Sequence, residues 1–157
     1  MVQAGPVKLS FTNIYLINYV FGEEQVAIPV AWTGIAAMLL KCGRTVHSRF
    51  KIPISLNETS VSSISASSKE ANVIRNAKII IWNEAPMAPA QALRVVDVLL
   101  KDLCCNDIPF GGKVIVLGGD LRLVFPVVPH GSRNSTVKHC LKSSPLWRSF
   151  PWTRNCV

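Results

Sequence analysis

Two short apolar runs constrain this chain more than any other feature. Residues 78–87 read KIIIWNEAPM and residues 113–120 read KVIVLGGD. A continuous apolar run that stops at an acid is the pattern of a strand buried on both faces, as in a parallel sheet. The carboxyl ends of such strands are where open α/β sheets place ligand chemistry. Two buried strands that bring acids to one sheet edge suggest a site that faces phosphates through a metal ion.

Composition sets the frame for that idea. At 157 residues with 49% apolar content, the chain suits one domain with a real core. It has no run of about 18 apolar residues, so no membrane partner is expected. Residues 11–21 are apolar but interrupted by Thr12, Asn13 and Asn18, without a basic lead or a small-residue cleavage site, so no signal peptide is expected. The formal charge of +8 is uneven: residues 121–157 carry Arg122, Arg133, Lys138, Lys142, Arg148 and Arg154 and no acid. Residues 41–51 carry Lys41, Arg44, Arg49 and Lys51, again without an acid. Such asymmetry suits either a polyanion or a solubilising surface. Cys42, Cys104, Cys105, Cys140 and Cys156 are odd in number and lack a C-x-x-C pair, which favours a reducing compartment. Cys104-Cys105 and His139-Cys140 lack the spacer of zinc ligands, so thiols are expected there.

The order of elements follows from periodicity and punctuation. Residues 11–21 read as a helix and 26–31 as a strand, with Pro29 an awkward ladder member because it has no N–H. Thr33-Gly34 turns into a short helix over 35–41, closed by Gly43. Residues 59–68 hold six serines and read as a mobile surface loop. Ser67 and Glu70 form a capping-box pattern for a helix reaching about Ala77. Pro89 suits the first turn of a further helix, with Leu93, Val96, Leu100 and Leu103 on its apolar face. Arg94, Asp97 and Lys101 lie on the opposite face, Asp97 and Lys101 in the favourable i,i+4 order. Residues 109–112 form a turn, and 136–142 read as a short helix. The sum is an α/β fold: a parallel sheet with helices on both faces.

Metal-assisted phosphoryl transfer needs a carboxylate for a hard cation, a group that orients water, and neutralisation of phosphate charge. Asn83-Glu84 stands at the right place but is only half acidic. At an effective dielectric of ~20, a unit charge ~4 Å from another contributes roughly 4 kcal/mol, and twice that for a divalent ion. From spacing alone the pair reads equally as a cap on the following helix. A phosphate loop, G-x-x-x-x-G-K-[ST], has no match. Ahead of residue 11 stands AGPVKLS, which has Lys8 and Ser10 but not the second glycine.

Taken in order, TGIAA (33–37), GRTVHSRFKIP (43–53), IIWNEAPM (80–87), PFGGKVIVLGGDLR (109–122) and PVVPHGSR (126–133) closely resemble the Pif-type ATP-dependent DNA helicases, above all those carried by Helitron transposons. The resemblance covers residues 11–147. It implies a RecA-like P-loop NTPase motor domain, present here without its first strand. It implies ATP as substrate, Mg2+ as cofactor, and 5′-to-3′ movement on single-stranded DNA, serving repair, recombination, telomere maintenance or transposition in an intracellular, nuclear setting. It assigns Glu84 to orienting the attacking water, Asn83 to the place of a magnesium-associated aspartate, and Asp120 to the third helicase motif. It places Thr33, Gly34, Thr45, His47, Arg49 and Phe50 along the DNA strand, where Phe50 would add a stacking surface. For His47 and Phe50, core packing is the competing reading.

The departures from the family pattern carry expectations of their own. Residues 1–10 are an eroded phosphate-loop remnant in which Lys8 and Ser10 sit near the nucleotide-binding places. Residues 11–150 are a partial RecA-like domain, and 151–157 an unpatterned tail. Leu123 replaces the glutamine that senses the terminal phosphate. The family continues into a second RecA-like domain that is missing from this chain. Negligible turnover is therefore expected of the chain alone, and the alternative function is a non-catalytic nucleic-acid-binding remnant of a transposon-derived helicase gene.

Overall fold

The computed structural model describes residues 26–119 and 140–150. The expected helix over 11–21, the first part of the helix over 136–142, and the tail at 151–157 lie outside them. Four parallel strands form one sheet in the order β2-β1-β3-β4: β1 Val26–Ala31, β2 Arg44–Thr45, β3 Ala77–Asn83 and β4 Val114–Leu117. β1 pairs with β3 from Val26↔Ala77 to Ala31↔Asn83, and β3 with β4 from Ile79↔Val114 to Trp82↔Leu117. Pro29 is accommodated because β2 joins β1 only at Val30 and Ala31, so no β2 residue stands opposite it.

The apolar runs are strands because both faces are covered. On one face Ile28, Val30, Ile80, Trp82 and Ile115 pack into a cluster with residues of three helices. These are α2 Val46–Phe50, α3 Lys69–Asn76 and α4 Ala90–Cys104. On the other face Ala31, Ile79 and Ile81 pack with Ala36, Ala37 and Leu40, which belong to or directly follow α1 Gly34–Met38. Helices on both faces of a parallel sheet agree with the expectation. No helix among the described residues is long and apolar enough to cross a membrane. Cys42, Cys104, Cys105 and Cys140 are free thiols.

Several local expectations need correction. Ser68, not Ser67, caps α3, its hydroxyl accepting from the Ala71 amide at 3.1 Å. Pro89 is the residue before α4 rather than its first turn. The serine-rich segment is tied down: the Ser62 hydroxyl donates to the Phe50 carbonyl at 2.6 Å, and the Ser63 amide to the Lys51 carbonyl at 3.1 Å. Asp97 does not face water. It is buried, receives the Phe110 amide at 2.6 Å and pairs with Lys101 at 2.8 Å, because the turn at Pro109–Gly112 folds over that side of α4. At the described end of the short helix expected over 136–142, Leu141–Ser143 forms a 3-10 turn.

Some of the basic residues are structural. Lys113 donates to the carbonyls of Arg75 and Ala77 at 2.8 and 2.7 Å, closing the α3–β3 junction. Arg75 itself reaches the carbonyls of Leu103 and Ala66, and Arg94 those of Glu58 and Ser60. Lys41, Arg44 and Lys51 remain exposed, so the basic stretch at 41–51 keeps its outward charge.

Candidate functional site

Parallel pairing in register brings the carboxyl ends of all four strands to one edge. Thr45 lies opposite Ala31, and Ala31 opposite Asn83. Beyond these pairs the backbone keeps the ends laced. The Trp32 amide donates to the Asn83 carbonyl at 3.3 Å, the Gly118 amide to the Trp82 carbonyl at 2.8 Å, and the Ala85 amide to the Gly118 carbonyl at 2.9 Å. Thr33-Gly34, Asn83-Glu84 and Gly118-Gly119 are thereby gathered at the edge the strand pattern pointed to.

Glu84 sits there in the left-handed region, φ 54° and ψ 32°, between the strand and a 3-10 turn at Ala85–Met87. A non-glycine residue in that conformation costs of order 1–3 kcal/mol and persists only where its surroundings impose it. Here the Asn83 side chain accepts the Glu84 amide at 3.0 Å, and Ala85 and Pro86 are buried immediately after. Gly119, at φ 135°, allows the β4 exit to pass close by: a Cβ there would lie 2.5 Å from Pro86 Cδ and 3.4 Å from Glu84 Cα. The helix-capping reading of Asn83-Glu84 does not hold, since no side-chain hydrogen bond caps the turn that follows.

Among the described residues the Glu84 carboxylate has one hydrogen-bond partner. Thr33 Oγ1 donates to Glu84 Oε2 at 2.6 Å, while accepting from the Ala36 amide at 3.3 Å as the N-cap of α1. Sequence reasoning placed Thr33 and Glu84 in separate roles and missed this bond. The two residues are 51 positions apart, and only the register of β1 on β3 brings them together.

The remaining strand-facing candidates divide. Thr45 caps α2, accepting from the Ser48 amide at 3.2 Å, and Gly34 is exposed with nothing within 4 Å of a Cβ built on it. Phe50 is fully buried in the core, so it is the packed ring of its two readings and offers no stacking surface here. His47 is half-buried against Trp32, ring centroids 4.5 Å apart, with Nε2 buried and unpartnered; burial pulls its pKa below the usual 6.5. Arg49 is also half-buried, and its pKa is lowered first by burial and then by the Arg44 charge, against an opposing effect of Cys42. Lys8, Ser10, Asp120 and Leu123 lie outside the described residues.

The side chains at this edge do not by themselves fit a magnesium ion. Asn83 is neutral and its Oδ1 is turned back on the Glu84 amide, leaving Glu84 as the carboxylate of the pair. No group of three or more metal-binding side chains occurs among the described residues.

A PIF1-like helicase family profile matches residues 4–154. The ATP-dependent DNA helicase Pif1 of Psychrobacter sp. (strain PRwf-1) is 33% identical over 134 residues, which cover 84% of this chain and 20% of that protein. The ATP-dependent DNA helicase RRM3 of Saccharomyces cerevisiae is 30% identical over 140 residues, covering 87% of this chain and 19% of that protein. Among solved structures, unliganded Pif1 from Bacteroides sp aligns with a TM-score of 0.74 at 25% identity, over 96% of this chain and 35% of that one. Bacteroides Pif1 bound to ssDNA gives 0.72 at 22% identity, over 95% and 36%. The complex of Bacteroides sp Pif1 with ADP-AlF4 gives 0.73 at 23%, over 96% and 36%. The chain thus spans about a fifth of the length of its curated relatives. The parallel sheet, with the acid expected at the end of its third strand, is therefore what the sequence motifs pointed to, a RecA-like fold, and the chain belongs to the PIF1-like helicase family.

Proposed function

We propose that this chain is the first RecA-like portion of an ATP-dependent, 5′-to-3′ DNA helicase, in which Glu84 orients the water that attacks ATP. Thr33, Gly34 and Thr45 lie toward a single DNA strand. The observation that carries this reading is the Glu84 carboxylate, held at the carboxyl edge of β3 in a strained backbone conformation and joined to Thr33. Strained residues at sheet edges gather where chemistry is done. Support comes also from relatives that are ATP-dependent DNA helicases and from related folds solved with ssDNA and with ADP-AlF4. Mg2+ belongs to this reading as the ion of the whole motor, with Asp120 its remaining acidic candidate.

In isolation the chain acts as a single-strand binder with negligible turnover. Asn83 brings no charge to a metal, Lys8 and Ser10 stand in an eroded phosphate loop, and Leu123 cannot hydrogen-bond a terminal phosphate. Origin from a Helitron-type transposon, with service in transposition, repair, recombination or telomere maintenance in the nucleus, is part of the same proposal. The exposed basic stretch around Arg44 and Lys51 supplies the phosphate contacts.

Two measurements test it. Fluorescence anisotropy with labelled oligo-dT should show binding that weakens linearly in log K against log salt, as counterion release requires. Affinity at low salt no better than for a neutral protein of this size refutes strand binding. Phosphate release in the presence of DNA should not exceed that of a Glu84→Gln control; a clear excess refutes the absence of turnover.

A further inference from the structure

The Thr33 hydroxyl stands at the meeting point of the two proposed roles. Its residue lies on the strand-facing segment, yet its proton goes to Glu84 Oε2 at 2.6 Å. The same oxygen accepts the Ala36 amide at 3.3 Å. A hydroxyl has one proton and two lone pairs. With one lone pair on the α1 amide and the proton on Glu84, Thr33 has nothing left to donate to a phosphate unless it releases the carboxylate. The surrounding backbone is held independently, through Trp32 on Asn83, Ala85 on Gly118, and Glu84 on the Asn83 side chain. The carboxylate can therefore change partner by side-chain rotation while the strand ends stay in place.

We propose that Thr33 is a positioning residue that couples the DNA strand to Glu84 through this single shared donor. Without a strand, Thr33 holds Oε2. A backbone phosphate arriving at Thr33 and Gly34 accepts the hydroxyl in its place, and Oε2 is freed to accept from a water. Only hydrogen bonds are exchanged, and every proton stays on its own oxygen. The idea rests on the reading of Glu84 as water-orienting and of Thr33-Gly34 as strand-facing. Linkage makes it reciprocal: whatever a phosphate does to Glu84, Glu84 does to phosphate affinity.

A double-mutant cycle read on oligo-dT binding at low salt tests this in the chain as it is, with no turnover required. Glu84→Ala frees the Thr33 proton and also removes a negative charge. Thr33→Val deletes the coupling and leaves the charge effect alone. The expected result is that Glu84→Ala tightens dT binding about fivefold more when Thr33 is present than in the Thr33→Val background. Thr33→Ser, which keeps the proton, should retain that difference. An equal gain in both backgrounds overturns the coupling and leaves strand binding standing. Absence of salt-dependent dT binding by the unaltered chain overturns the strand reading itself, and the coupling with it. Because Thr33 also caps α1, a second measurement avoids any variant that misfolds. The 13C carboxyl resonance of Glu84, assigned by its loss in Glu84→Ala, must move as dT saturates the unaltered chain. A resonance that stays fixed while dT binds overturns the proposal.

Discussion

Replacing Gly119 by alanine should damage the edge that carries Glu84, and the size of the effect can be worked out. At φ 135° an L side chain is strained by of order 1–3 kcal/mol. The added Cβ would lie 2.5 Å from Pro86 Cδ and 3.1 Å from its Cγ. That ring is closed, buried and fixed two residues from the left-handed Glu84, so it cannot swing aside as a long side chain would. Overpacking of this kind typically costs another 1–3 kcal/mol. The two sum to about 2–6 kcal/mol, a large share of the 5–15 kcal/mol typical of a domain. With a urea slope of roughly 2 kcal/mol/M, the unfolding midpoint should fall by about 1–3 M at unchanged slope. Gly34→Ala is the matched control, because its Cβ meets nothing within 4 Å. Its stability should stay within about 0.5 kcal/mol of the parent, while oligo-dT binding weakens if a strand passes close to that backbone. A Gly119→Ala midpoint within about 0.3 M of the parent would refute the reasoning about the edge.

Asp97→Ala should cost about 2–4 kcal/mol in urea unfolding, because it strands the buried Phe110 amide and the Lys101 ammonium, whereas Lys101→Met should cost well under half of that. His47 contributes a pH dependence of definite sign. Its folded pKa lies below 6.5, so the unfolded chain binds the proton more readily, and stability present above 6.5 is lost as pH falls through that value toward the folded pKa. Unfolding midpoints between pH 7.5 and 5.5 should fall less steeply in His47→Gln than in the parent; parallel slopes would contradict this. If residues 1–10 are the eroded phosphate loop proposed above, Asn83→Asp combined with Leu123→Gln should leave phosphate release at the Glu84→Gln level.

What could be seen in the sequence depended on how far apart the partners lie. β3 and β4 were legible because strands covered on both faces tend to be continuous apolar runs, and 79–82 and 114–117 are, although Val114 at the start of β4 is exposed. α4 was legible from its period, with Leu93, Val96, Leu100 and Leu103 all buried. Asp97 was misplaced by the same logic: its burial is decided by the turn at Phe110, thirteen residues on, which no helical period contains. The serine-rich segment looked mobile because serine favours loops, but its hydroxyl and amide bonds end on carbonyls twelve residues away. Ser67 and Ser68 differ by one position, and the Ala71 amide selects the second. Glu84 and Asn83 were found by position at a strand end; the Thr33 contact to Glu84 required the sheet register as well.

That contact also separates geometry from competence at this edge. Asn83 holds the Glu84 amide through Oδ1, an acceptor that aspartate would supply equally well. The lacing of Trp32, Asn83, Ala85 and Gly118 is entirely backbone and indifferent to side-chain charge. An asparagine at 83 therefore leaves the left-handed Glu84 and its bond to Thr33 in place. What it removes is charge: at an effective dielectric of ~20 and ~4 Å, roughly 4 kcal/mol against a unit charge and twice that against a divalent ion, before solvent recovers part. Under the proposed reading of Glu84 and Thr33, the edge keeps the shape of a hydrolytic site, and the bond through which it would sense a strand, without the charge that an aspartate at 83 would bring. Strand binding should accordingly respond to substitutions at Thr33, Gly34 and Glu84, while Asn83→Asp, which keeps the Oδ1 acceptor, should leave it nearly unchanged.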